Sequence, residues 1–150
     1  MELENSKIRR IILAEHDVLR GALRTIEAGL GKVAEGDVPA QITARSQLKQ
    51  LLATFLKHIE HEERILRPVL KDIDAWGPER IAAMDSEHKE QRARVEYLSG
   101  PLGEAAPTKW VEEVRQFIGH LREDMATEEQ DCLDPRLLRD DVIVIDGFTG

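Results

Sequence analysis

Residues 58–68 read HIEHEERILRP, and they combine the periodicity of a core helix with side chains that a core seldom contains. At about 100° per residue, His58 and Glu62 fall within one arc of a helix. The same arc carries the apolar residues Leu51, Phe55, Ile65 and Val69. The stretch therefore predicts an amphipathic helix that buries a histidine and a carboxylate among apolar side chains.

Apolar stripes with helical spacing occur in four parts of the chain. The first runs through residues 7–34 and the second through residues 48–73, where Pro68 predicts a kink or an early end. A shorter third helix is predicted around residues 81–98, and a fourth over about residues 107–132. Short breaks rich in Gly or Pro separate the four stripes.

Four amphipathic helices with short connections can bury their stripes only against each other, and sequential helices are then antiparallel. We therefore predict an all-α fold, an antiparallel up-down-up-down four-helix bundle over residues 1–135. Residues 136–150 are expected to form a short C-terminal tail of unknown role. Its β-branched stretch, residues 142–145, suits either a short strand or an oligomer contact.

Charge and composition narrow the function classes. Lys and Arg number 21 against 29 Asp and Glu, giving a net charge of -8, so no nucleic-acid partner is expected. Cys132 is the only cysteine, which excludes an intramolecular disulfide. The first residues are acidic and no apolar stretch approaches a membrane span, so we expect a cytoplasmic protein without a membrane partner. The oligomeric state stays open.

Histidines interrupt the apolar stripes of all four predicted helices. His16 fills a gap in the first stripe and His88 a gap in the third, while His120 and Asp124 flank the fourth. Burying such groups without partners costs several kcal/mol each, and a metal ion removes that cost. Imidazole and carboxylate ligands suit Fe, Mn or Zn. The predicted metal ligands are His16, His58, Glu62, His88, His120 and Asp124.

Three other residues have alternative interpretations. Glu128 would replace Asp124 as a ligand if the fourth helix were rotated about its axis. His61 lies on a polar face, where it is either solvated or supports the site from outside the ligand shell. Cys132 is interpreted as a core or helix-end thiol.

Four segments carry a resemblance to a known family: AEHD at residues 14–17, HIEHEERILRP at 58–68, SEH at 86–88 and HLRED at 120–124. Together they resemble the hemerythrin-like, or HHE cation-binding, family over residues 7–135. The resemblance implies a four-helix bundle with two Fe ions joined by an oxo or hydroxo bridge, and O2 or NO as the small ligand. It further implies that the histidines are terminal ligands and that Glu62 and Asp124 are bridges.

Two positions depart from the family pattern. Oxygen-carrying members have a second histidine one turn after the third-helix ligand, where this chain has Arg92. Repair-type members carry Glu where this chain has the shorter Asp124. We therefore expect a non-haem di-iron protein that binds, senses or reacts with dioxygen or nitric oxide, rather than a dedicated enzyme. The alternatives are a ferritin-like di-metal oxidase or iron-handling protein, and a metal-free helical interaction module.

Overall fold

The computed structural model describes residues 3–141, and all regular structure in that range is helical. The elements are α1 Asn5–Ala34, α2 Val38–His61, a π-helix Glu62–Leu66, α3 Arg67–Asp72, α4 Gly77–Ser99, a 3-10 helix Pro101–Glu104 and α5 Pro107–Asp131. Since α2, the π-helix and α3 follow one another directly, the chain forms four long helical segments. The predicted all-α class and its four helices are confirmed, whereas the full up-down-up-down order stays a prediction.

The break between α1 and α2 follows the expected chemistry of helix ends. Gly36 has a φ of 88°, a left-handed conformation that glycine adopts without steric cost and that ends α1. The Asp37 carboxylate then accepts a hydrogen bond of 2.9 Å from the Ala40 amide, which caps α2. Pro39 lies in the first turn of α2, where its missing N–H costs no hydrogen bond.

The helical segment that contains residues 58–68 changes its hydrogen-bond pattern at Glu62. Its hydrogen bonds follow the π pattern over Glu62–Leu66, and α3 then continues the chain to Asp72 with Pro68 in its first turn. Pro68 thus lies just beyond a widened turn, and the helix does not end there. After α3 the chain turns sharply and brings Gly77 against the end of that helix. Only glycine fits there, because a Cβ would lie 2.1 Å from the Lys71 carbonyl oxygen.

Two apolar clusters fill the interior, and on each long helical segment a polar residue separates them. The larger cluster contains buried apolar residues from Leu19 onward on α1 and up to Ile59 on α2. It also contains those from Val95 onward on α4 and up to Met125 on α5. The smaller one includes Ile8, Ile12, Leu66, Leu70, Met84 and Leu133. The residues that lie between the clusters along the chain are His16, Glu62, His88 and Glu128.

Helices α1 and α5 contact each other in opposite chain directions. Arg9 donates to the Leu133 carbonyl at 2.6 Å, near the start of α1 and just beyond the end of α5. Further along α1, Glu27 accepts from Arg122 at 2.9 Å and 3.0 Å. These two helices are therefore antiparallel.

The segment after α5 folds back onto the start of α1. Leu133 and Leu138 are buried in the smaller cluster, and the Asp140 carboxylate accepts from the Ser6 amide at 2.8 Å and from the Ser6 hydroxyl at 2.6 Å. Residues 136–141 of the predicted tail thus pack on the bundle. The β-branched stretch at residues 142–145 lies outside the described residues. No helix within residues 3–141 is long and apolar enough to cross a membrane.

Candidate metal centre

Four polar side chains converge between the two apolar clusters. His16, His58, Glu62 and Glu128 each bring one nitrogen or oxygen to within 4.8 Å of the others. His16 is 1% exposed, Glu62 is 3% exposed and the Glu128 side chain 10%. They come from α1, α2, the π-helix and α5, so the folded chain brings together donors that are distant in sequence.

His88 on α4 joins this group through Glu62. Its Nε2 lies 3.3 Å from Glu62 Oε1, and His58 Nε2 lies 3.2 Å from the same oxygen. On the other side His16 Nε2 lies 3.0 Å from Glu128 Oε1 without forming a hydrogen bond. All three imidazoles therefore direct Nε2 towards the two buried carboxylates.

The opposite nitrogen of each ring is held by a second carboxylate. The Nδ1 atoms of His16, His58 and His88 lie 2.7 Å, 2.7 Å and 2.9 Å from Glu129, Glu15 and Glu63, respectively. A carboxylate at this position holds the hydrogen of a neutral imidazole on Nδ1, which leaves the Nε2 lone pair free for a metal ion. We call Glu15, Glu63 and Glu129 the outer carboxylates.

Each outer carboxylate is in turn fixed from the surface of the bundle. Arg20 donates two hydrogen bonds to Glu129, at 2.8 Å and 2.9 Å. Arg92 does the same to Glu63, at 2.8 Å and 2.6 Å. The third, Glu15, contacts Nδ1 of His61. Of the two interpretations of His61, the structure therefore favours support of the site from outside the ligand shell.

The two buried carboxylates have opposite pKa shifts. Burial and the neighbouring Glu62 raise the pKa of Glu128 well above its ordinary value. Burial also acts to raise the pKa of Glu62, but its contacts with Glu128, His58 and His88 outweigh burial and lower it. In the absence of a cation the two carboxylates therefore titrate together, and the pair takes up a proton more readily than an isolated carboxyl group does.

The same contacts act on the imidazoles. Burial lowers the pKa of His16. Burial opposes the charged form of His58 and His88 as well, yet the adjacent carboxylates outweigh it and raise the pKa of both.

The donor set fits a metal cation. Glu62 Oε2 and Glu128 Oε1 are buried and have no hydrogen-bond partner, a costly state that a bound cation would relieve. Three imidazoles and two carboxylates are ligands that Fe, Mn and Zn accept. A cavity of about 10 Å³, lined in part by Glu62 and Glu128, leaves space beside them.

Of the six residues predicted as ligands, the structure brings together His16, His58, Glu62 and His88. It does not bring His120 to the cluster: His120 is exposed, and its Nδ1 lies 3.2 Å from the Arg94 guanidinium. Arg94 is six residues beyond His88 on α4, a rise of about 9 Å. His88 and His120 therefore lie at different heights along the bundle.

Asp124 lies beside the cluster rather than in it. Its Oδ2 accepts from Gln91 Nε2 at 3.1 Å, and its side chain lines the small cavity next to Glu87. Burial, with Asp124 and Glu62 nearby, raises the pKa of Glu87 to about 7. On α5 the member of the cluster is Glu128, the alternative that depended on the rotation of this helix. Glu128 continues the buried positions Leu121 and Met125 of α5.

Sequence reasoning did not identify the outer carboxylates. Each stands directly beside a cluster residue in the chain: Glu15 before His16, Glu63 after Glu62 and Glu129 after Glu128. Each reaches an imidazole on a neighbouring helix, and this adjacency is the signal that could have found them. Cys132, the C-cap of α5, is half-buried, and burial raises the pKa of its thiol to about 11, which fits a helix-end thiol.

A family model described as the hemerythrin HHE cation binding domain matches residues 7–134. The matched range covers every residue of the polar cluster and all four long helical segments except the first two residues of α1. No curated protein and no solved structure gives a significant match to the chain.

Proposed function

Since the chain belongs to the hemerythrin HHE cation-binding family, we propose that it is a non-haem di-iron protein that binds, senses or reacts with dioxygen or nitric oxide. The observation that carries the proposal is the buried carboxylate pair, whose unpartnered oxygens face three imidazole nitrogens. Two iron ions would supply open coordination positions for a diatomic ligand and electrons to reduce it.

The proposed ligands are those that the structure brings together. His16, His58 and His88 would bind through Nε2, and Glu62 and Glu128 would supply carboxylate oxygens. Glu128 thus takes the α5 position for which His120 and Asp124 were predicted. Mn or Zn ions could occupy the same donors, since neither imidazole nor carboxylate is selective among these metals.

The surrounding residues would orient the ligands and limit access to the centre. The outer carboxylates fix the three rings, and Arg20 and Arg92 fix two of the outer carboxylates. Arg92 occupies the position of an additional histidine in oxygen-carrying relatives, and here its guanidinium positions Glu63 instead. A centre with fewer imidazoles than the oxygen-carrying relatives have leaves room for an exogenous ligand, which favours sensing or reaction over reversible oxygen carriage.

Optical spectroscopy of the iron-loaded protein tests the gas-related part of this proposal. Protein loaded with Fe2+ under anaerobic conditions should change its absorption when air or nitric oxide is added, and the near-ultraviolet band formed in air should disappear on reduction. His88→Ala should alter these spectra, whereas His120→Ala, outside the cluster, should leave them unchanged. An iron-loaded protein whose spectrum responds to neither gas would refute the gas-related function and leave cation binding intact.

A further inference from the structure

A groove of about 800 Å³ lies between α4, α5 and the segment that follows α5. Trp76 and Glu79 line it near the start of α4, and Gln130 and Asp131 line it near the end of α5. Its volume is within the range of ligand-binding clefts in proteins. We call it the acidic groove, after the carboxylates that line it.

The acidic groove reaches the candidate metal centre. Glu128 and Glu87 line both the groove and the small cavity beside Glu62. Glu128 is nine-tenths buried, and its Oε1 has no hydrogen-bond partner. A proposed ligand with an unsatisfied oxygen therefore forms part of the groove wall.

The charges along the groove favour a cation. Five acids line it, namely Glu79, Glu87, Glu128, Asp131 and Asp134, against the two bases Arg80 and Arg136. Both bases are already paired, Arg80 with Asp74 and Arg136 with Asp134. Within residues 3–141, Glu79 and Asp131 form no ion pair, so their charges are available at the mouth.

The other depressions near the centre are less suited to a cation. The one between α1 and α2 touches His58, but Lys57 and Arg64 balance its two acids. The second depression between α4 and α5 has three acids, Glu87, Glu90 and Asp124, beside Arg94 and His120, but it includes none of the proposed ligands of the centre. Of these depressions, the acidic groove combines two unpaired surface acids with a carboxylate that is a proposed ligand of the centre.

We propose that the acidic groove is the path by which a hydrated divalent cation enters the metal centre. Glu79 and Asp131 attract the cation at the mouth, and Glu128 is the first residue of the centre that it meets. The proposal rests on the metal centre described above and adds its route of loading. Negative potential in a cleft raises the association rate of a cation, and added salt removes that effect.

Stopped-flow absorption with Co2+, whose visible bands report coordination without oxidation, tests the electrostatic part. The double variant Glu79→Gln/Asp131→Asn should bind Co2+ about 3 to 10 times more slowly than the parent protein at low ionic strength. The difference should largely vanish in concentrated KCl, because the Debye length falls to about 3 Å at 1 M salt. The final absorbance should match that of the parent, since no proposed ligand is changed.

The matched control is Glu35→Gln/Glu96→Gln, which removes the same net charge from exposed positions outside the groove. It should bind Co2+ at nearly the parent rate. Two tryptophan substitutions give a second test. Gln130→Trp narrows the groove, and Gln50→Trp places the same side chain at an exposed position of α2. Only Gln130→Trp should slow binding, and it should do so at every salt concentration.

Equal rates for the groove variants and their controls would overturn the entry path while the metal centre stands. Loss of final absorbance in Glu79→Gln/Asp131→Asn would also overturn it, because these acids would then be part of the binding site itself. If the parent protein binds no Co2+ at equilibrium, the proposed metal centre fails together with its entry path.

Discussion

An oxygen of Glu62 and an oxygen of Glu128 lie within 4.8 Å of each other in the interior, although they come from the π-helix and α5. Each carboxylate has one buried oxygen without a hydrogen-bond partner. Such a pair destabilises a metal-free fold, because keeping one buried carboxyl group uncharged above its ordinary pKa costs free energy and unpaired polar atoms lose their hydration. A bound cation would remove both costs.

Replacing one member of the pair should separate stability from metal binding. In chelator-treated protein at pH 8, Glu128→Gln should raise the free energy of unfolding by about 1 kcal/mol or more, because the amide is uncharged without taking up a proton. The same variant should bind metal ions more weakly. Urea unfolding and metal titration measure the two effects.

The pH dependence of this gain follows from the raised pKa of Glu128. The folded protein holds a proton that the unfolded chain releases above the ordinary carboxyl pKa, so the metal-free parent loses stability as pH rises from about 5 to 8. The gain from Glu128→Gln should therefore be larger at pH 8 than at pH 5. A variant that is less stable than the metal-free parent at both pH values would show that Glu128 has a structural role instead.

The outer carboxylates should control metal affinity without binding metal themselves. Glu63→Gln removes the carboxylate that holds His88 Nδ1 at 2.9 Å, and we expect metal affinity to fall about 10 to 100-fold. Competition with a chromophoric chelator measures this change. Glu60→Gln, at an exposed position on α2, is the control and should retain the parent affinity. If both variants keep that affinity, Glu63 has no role in orienting the ring.

The segment after residue 135 should contribute to the stability of the bundle. Asp140 caps the start of α1 through Ser6, and the N-cap residue Glu4 makes no such bond with its own side chain. Asp140→Ala should lower Tm by about 2 to 4 °C, as loss of a helix cap does. Asp141→Ala, an exposed neighbour, should change Tm little. Equal Tm values for both variants would place the stable domain within residues 1–135, as the sequence predicts.

Helical periodicity was sufficient to predict the four helices and most of the cluster. His16 and His88 were identified because each fills an apolar position in a well-defined stripe, and His58 and Glu62 because they share one arc. On α5 the stripe is broad, with seven buried apolar residues, so its phase does not decide between Asp124 and Glu128. The decisive information is the vertical offset between α4 and α5, which depends on the 3-10 helix Pro101–Glu104 and not on loop length alone.

Two other features could not be predicted from period or spacing. The π-helix at Glu62–Leu66 adds residues to a turn without changing the composition of the segment, so nothing in the sequence marks it. The outer carboxylates are single acids in a chain with 29 of them. Adjacency to a cluster residue narrows the choice among these acids, and the packing of the helices then shows which acid faces an imidazole.

The metal content of the purified protein is the decisive test of the proposed di-iron centre. Elemental analysis of protein from iron-supplied cells should find about two iron ions per chain in the parent, as in other carboxylate-rich dimetal bundles. The same content is expected in His120→Ala, whose side chain is exposed, whereas His16→Ala should lose most of its metal. A parent protein without bound metal, or equal iron in His16→Ala and His120→Ala, would contradict the account.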